Sequence, residues 1–161
     1  MKELIIKSSS KLAQVDDEDY ERLLKFNWRA DGRENYIYRE YKLYGKRYCV
    51  AIANEILDRP NVKFDHADRN PFNNQKYNLR EATHQQNMMN VSKRANTTSK
   101  YKGVSLHRGK WRAYIQFEKR HVSLGYHATE ELAAGCYNRV AIELFKEFAA
   151  LNKNEKGEVL P

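Results

Sequence analysis

Residues 64–87 read FDHADRNPFNNQKYNLREATHQQN, and the organisation of the chain turns on this stretch. Residues 62–65 have the pattern of a short strand that delivers Asp65 and His66 to its end. Asn70-Pro71 and Asn73-Asn74 are strong turn signals, because Asn bonds its own backbone and Pro fixes φ. Residues 79–82 return as a second strand. Thr83 then suits a helix N-cap, and Gln86 completes a Thr-x-x-Gln capping box. Asn87 falls one turn inside that helix, on the side of the hairpin. Strand, loop, strand and helix therefore gather a carboxylate, an imidazole and an amide oxygen.

That trio has a chemistry. A carboxylate and an amide oxygen are hard ligands of the kind Mg²⁺ takes, with its other positions left to water and phosphate. A neutral His beside them accepts a proton from water near pH 7. Together they suit metal-assisted hydrolysis of a phosphodiester. His84, in the first turn of the predicted helix, is the rival base, but the positive helix end disfavours its imidazolium there.

The arrangement resembles the HNH nucleases, the ββα-metal endonucleases, in Asp65-His66, in Asn78 twelve positions after His66, and in Asn87 nine positions further. Asn78-Leu79-Arg80 followed by Thr83 and Asn87 is similar to the phage and intron-encoded branch. The resemblance implies His66 as general base, Asp65 and Asn87 as metal ligands, and Asn78 as a structural tie that aims His66. It implies Mg²⁺, or another divalent cation such as Mn²⁺, and products with 5′-phosphate and 3′-hydroxyl ends. Related chains often carry a His-Arg pair in the preceding helix. Here that stretch reads Val50-Ala51-Ile52-Ala53-Asn54-Glu55, without it.

Working outward, the 161 residues carry 29 Lys and Arg against 21 Asp and Glu, a net charge of +8. The surplus is local. Residues 88–128 hold nine basic side chains against the single acid Glu118, so the remainder balances at twenty against twenty. Such clustering is the footprint of a polyanion site. With 41% hydrophobic residues the chain has material for small cores, and disorder is excluded. No apolar run reaches the roughly 18 residues of a membrane span. Residues 1–10 lack a signal-peptide core, so a cytoplasmic protein is expected, in a bacterial host cell and phage-encoded if the resemblance holds. Cys49 and Cys136 form no Cys-x-x-Cys pair, which argues against a zinc-thiolate site and leaves two buried thiols as the expectation.

Before the motif, the acids Asp16 to Asp19 precede Tyr20, Leu23, Leu24 and Trp28, as at a helix start. Residues 36–48 alternate Tyr with Arg around a Tyr44-Gly45-Lys46-Arg47 turn, a hairpin pattern. Residues 49–57 have helical spacing.

From Tyr101 the period changes to two. Trp111, Ala113, Ile115 and Phe117 alternate with Arg112, Tyr114 and Gln116, giving one apolar and one basic-aromatic face. Gly103-Val104 opens an earlier strand, Val122 and Leu124 face inward on a third, and Thr129 caps a helix with the stripe Leu132, Ala133, Cys136, Tyr137, Val140, Ala141, Leu144, Phe145 and Phe148. The module resembles the AP2 DNA-binding domain in Tyr101-Lys102-Gly103-Val104, in Gly109-Lys110-Trp111-Arg112-Ala113 and in Leu124-Gly125. That resemblance implies DNA contacts from Lys102, Arg108, Lys110, Arg112, Tyr114, Gln116 and His121, with Lys93 and Arg94 following the backbone from the linker.

The fold class expected is α+β: an N-terminal ββα-metal HNH domain over 1–90 with its motif at 62–90, a basic linker 91–100, an AP2 domain over 101–152 built as a three-stranded antiparallel sheet on one helix, and a loosely held tail 153–161. The function expected is a homing-type endonuclease acting on double-stranded DNA as a monomer or dimer. The alternatives are a non-cleaving AP2-type regulator with an inactive HNH fold, and an RNA-binding accessory protein.

Overall fold

The computed structural model describes residues 1–33, 35–93 and 97–161. The chain is mixed α and β, and it divides into two compact units, Met1–Asn87 and Met88–Pro161.

In the first unit β1 (Lys2–Ile5) pairs antiparallel with β2 (Leu12–Val15), and α1 (Asp17–Leu23) follows with Asp17, Glu18 and Asp19 in its first turn. Acids there oppose the positive helix end. A three-stranded antiparallel sheet comes next, from β3 (Arg29–Ala30), β4 (Ile37–Leu43) and β5 (Lys46–Ala51), leading into α2 (Ile52–Leu57). The hairpin β6 (Phe64–His66) and β7 (Leu79–Glu81) then delivers α3 (His84–Asn90). The core holds Leu4, Ile6, Val15, Leu23, Trp28, Ile37, Ile52 and Phe72. Trp28 buries its ring fully and donates its indole N–H to the Leu23 carbonyl at 2.9 Å, so the one polar atom of the ring is satisfied.

In the second unit β8 (Val104–His107), β9 (Lys110–Phe117) and β10 (Arg120–His127) form an antiparallel sheet with β9 central, and α4 (Glu130–Phe145) packs on it. Thr129 caps α4, its hydroxyl accepting from the Leu132 N–H at 3.2 Å. Ala113 and Ile115 point to the core with Tyr137, Ala141 and Phe145.

Three local expectations change. The helical spacing of residues 49–57 resolves as strand to Ala51 and helix only from Ile52. Cys49, Val50 and Ala51 pair with Glu40, Arg39 and Tyr38, so cross-strand hydrogen bonding overrides local periodicity. That register leaves Cys49 exposed, while Cys136, on α4, is half-buried, so neither thiol is fully buried. The C-terminal tail is docked rather than loose. The buried Asn138 side chain donates to the carbonyls of Asn152 and Leu160 at 2.9 and 2.7 Å and accepts the Asn152 N–H at 2.8 Å. Gly135 has no side chain where the Pro161 carbonyl passes: a Cβ there would lie 1.7 Å from it.

Gly103 has a tighter constraint. Its φ is +72°, and a Cβ would meet the Tyr137 ring at 2.1 Å. Gly103→Ala combines a left-handed backbone with overpacking, so it should destabilise the second unit by about 2–4 kcal/mol. Urea unfolding of the full chain, followed by Trp111 fluorescence in a Trp28→Phe background, measures it.

Candidate functional site

The loop between β6 and β7 is built almost entirely from asparagine chemistry. Asn78 is 1% exposed. Its Oδ1 accepts the Asp68 N–H at 2.9 Å, while its Nδ2 donates to Asp68 Oδ1 at 2.9 Å and to the Asn73 carbonyl at 2.7 Å. Asn73 Nδ2 in turn donates to Asp68 Oδ2 at 2.8 Å. The loop is docked on the rest of the unit by Gln14, whose N–H donates to the Phe72 carbonyl and whose carbonyl accepts from Asn74 N–H, at 2.7 and 2.8 Å. Asp16 clamps its far end by accepting from the Lys76 N–H at 2.8 Å and from Gln75 Nε2 at 3.1 Å.

This frame sets His66. Its Nε2 lies 3.1 Å from Asn74 Oδ1, and the Asn74 amide is itself fixed by the Pro71 carbonyl at 2.9 Å. With the amide oxygen as acceptor, Nε2 carries the proton and the lone pair falls on Nδ1. His66 borders a cleft with Tyr36, Ile37, Asn54, Phe64 and Asn74.

Asp65 stands opposite Arg80 in the β6–β7 register, so both side chains share one face. Arg80 grips the carboxylate through Nε and Nη2, both to Oδ2, at 2.9 and 2.6 Å. Strand alternation sends His66 to the opposite face from Asp65. Asn87 is brought against β6 by its Nδ2, which donates to the Phe64 carbonyl at 3.2 Å. Its Oδ1 is buried and has no hydrogen-bond partner among the described residues. The helix that carries it starts with the expected box: Thr83 N–H donates to Gln86 Oε1 at 2.8 Å, and Gln86 N–H to Thr83 Oγ1 at 3.2 Å. His84 is exposed at the head of α3.

Three side chains at the site had no role in the sequence reading: Arg80, Asn74 and Asp68. The first was findable, since pairing β6 with β7 sets position 65 against position 80. The other two depend on the loop's path. Burial pushes the Asp68 carboxyl up, but the Asn70 N–H, the Asn73 and Asn78 amides and nearby His66 outweigh it and hold it below the ordinary carboxylate range.

On the second unit, Lys110, Arg112, Tyr114 and Gln116 lie on the sheet face away from α4, with His121 opposite Gln116. Arg112 sits over the Tyr114 ring at 6.0 Å, and Tyr114 meets His121 at 6.1 Å. Arg108 occupies the β8–β9 turn at φ 50°. Lys102 differs: its ammonium donates to the carbonyls of Met89 and Val91, both at 2.7 Å. Lys93 is half-buried, and Arg94 lies outside the described residues. Among the described residues there is no cluster of three or more His, Cys, Asp and Glu side chains able to cage a metal, and no helix long and apolar enough to cross a membrane.

The chain is 39% identical over 107 residues to a protein of Acanthamoeba polyphaga mimivirus described as an uncharacterized HNH endonuclease. The match takes in 66% of this chain and 54% of that protein, so the chain spans about half the length of the curated relative it matches. No family model and no solved structure matches.

Two outcomes are expected of the loop. Asn78→Ala strands the Asp68 N–H and the Asn73 carbonyl, which should cost about 2–4 kcal/mol in urea unfolding. Asp68 supplies stability that is complete above the ordinary carboxylate range near pH 4 and is lost as pH falls through its lowered native value. The stability gap between the wild type and Asp68→Asn, measured by denaturant titration, should therefore be widest at neutral pH and close below about pH 4.

Proposed function

We propose that the chain is a DNA endonuclease of the HNH type, with Asp65 and Asn87 holding a divalent cation and His66 acting as general base. The observation that carries this reading is Asn87 Oδ1: a buried acceptor without a donor, on a helix pinned to the strand of Asp65 and His66. Buried amide oxygens are normally satisfied, and an oxygen left so is a ready ligand for a hard cation. The mimivirus relative supports the same class. Mg²⁺ is the cation this donor set suits, and when bound it supplies positive charge against the phosphate and the departing oxygen.

The rest falls to the chain's own side chains. Asn74 keeps the His66 proton on Nε2, so Nδ1 is the atom that takes a proton from the attacking water. Arg80 fixes the orientation of the Asp65 carboxylate. Asn78 holds the loop on which His66 depends. Double-stranded DNA is the substrate, anchored by the second unit as an AP2-type domain through Arg108, Lys110, Arg112, Tyr114, Gln116 and His121. Lys102 supports this face indirectly, by ordering residues 89–91, and Lys93 and Arg94 follow the backbone. A homing role fits a chain that carries both a sheet that reads sequence and a site that cuts.

Supercoiled plasmid incubated with Mg²⁺ should be nicked or linearised, and EDTA should stop the reaction. His66→Ala should lower the rate by about 10²–10⁴ without loss of fold, the range for removing a general base. In a thermal melt without DNA, Mg²⁺ or Mn²⁺ should raise the midpoint of the wild type and leave Asn87→Ala unmoved. Absence of cleavage and of any cation-dependent shift would overturn the reading.

A further inference from the structure

The β4–β5 hairpin runs out beyond the core of its unit. Residues 40–49 are exposed on both of its faces, and its base, Ile37 of β4 and Ala51 of β5, borders the cleft that contains His66. Its two faces differ in chemistry. On one, Tyr41 and Tyr48 stand opposite each other and stack at 5.3 Å, with Leu43 and Lys46 beyond them. On the other, Lys42 lies directly across from Arg47, and Arg29 of β3 shares that face through its pairing with Tyr38. Glu40 sits there too, 3.7 Å from both Arg29 and Arg47, so two cations share one carboxylate and Lys42 is left out of the pairing. Lys42 and Lys46 have no acidic partner among the described residues.

Two features of the hairpin work against its own stability. Like charges directly opposite on adjacent strands repel, and Lys42 with Arg47 makes such a pair. The tip is a two-residue turn, Tyr44-Gly45, with φ of 48° and 74°. Such turns favour Asn or Asp at the first position, and a bulky residue at positive φ is strained. Yet Tyr44 is there, and it is 95% exposed, touching little of its own protein. An anion between Lys42 and Arg47 removes the first cost. A partner for the Tyr44 ring accounts for the second.

We propose that the β4–β5 ribbon is a second DNA-contact surface, entering the major groove with Lys42, Lys46 and Arg47 on phosphates and Tyr44 at its tip against the nucleotide. A two-stranded ribbon fits that groove. Its length, about 20 Å for β4, equals the axial rise of roughly six base pairs, enough to bring several phosphates within reach. Because its base borders the cleft of His66, the contacted duplex lies next to the proposed point of cleavage. The inference rests on the DNA reading above but on different residues.

The test is fluorescence anisotropy of the full chain on a mixed-sequence duplex in EDTA, so that no cutting occurs, across a salt series. The wild type should bind with a steep salt dependence, and K42A/K46A/R47A should flatten the log–log slope by about 2–3. Tyr44→Asn relieves the turn, so it should raise the melting temperature while weakening DNA binding several-fold. A structural role for Tyr44 does not move the two in opposite directions. If the wild type binds and the triple variant keeps the same slope, the ribbon proposal falls and the DNA reading stands. If the wild type binds no DNA, the DNA reading itself falls. If the triple variant changes only the sedimentation-measured oligomeric state, the ribbon joins copies of the chain and the proposal is overturned.

Discussion

Between His66 and Asn78 the chain turns through a polar loop whose inner side is buried, and the carboxamide of Asn78 makes this tolerable. A buried backbone N–H or carbonyl costs about 1–3 kcal/mol if left without a partner. Asn78 offers one acceptor and two donors at one point, and all three meet loop atoms. No apolar residue provides that, and Asp lacks the donors. From this tie the order passes outward, through Asp68 to Asn73 and through the adjacent Asn74 to the imidazole of His66. A short hairpin of three-residue strands has little stability of its own. Its precision therefore comes from the loop and from the docking of that loop on β2 through Gln14.

The asparagines of the site fall into two kinds. Asn73, Asn74 and Asn78 are buried, and both ends of each amide are engaged inside the loop or with His66. Asn87 has its donor engaged and its acceptor idle. Since the surrounding loop satisfies its amides so completely, the idle oxygen is not a sign of careless packing. Asp65 shows the complementary design. Its charge is matched within the protein by Arg80, which reaches one carboxylate oxygen with two N–H groups of its rigid fork. The pair keeps the carboxylate in one place.

Much of this was readable in the sequence where the signal is local. The Thr83–Gln86 box, the turns of the loop and the strict alternation of residues 111–117 each rest on neighbours within a few positions. The features that escaped are non-local. Helical spacing at residues 49–57 competes with pairing partners nine or more positions away, and those won as far as Ala51. The bulge between Ser123 and Gly125 adds a residue to β10, which brings Tyr126 across from Arg112. Nothing in the alternation of that strand marks it except Gly125. The tail carries few apolar residues, yet Leu160 is buried because Asn138 captures its carbonyl.

Charge shows the same division. Counting residues locates the excess at 88–128 and leaves the rest of the chain neutral, but neutrality of a sum is not neutrality of a surface. In the first unit the carboxylates are largely committed to structure. Asp16 binds the loop, Asp17 the N-terminal amine, Asp19 holds Arg22, Glu55 holds Arg39, and Asp65 holds Arg80. Those pairings gather negative charge around α1, α2 and the loop. On the exposed β4–β5 ribbon Glu40 is the sole acid, and Lys42 and Lys46 have no acidic partner among the described residues. A balanced composition thus folds into a separated one. The separation follows from which acids the fold needs for capping and clamping, a quantity no residue count contains.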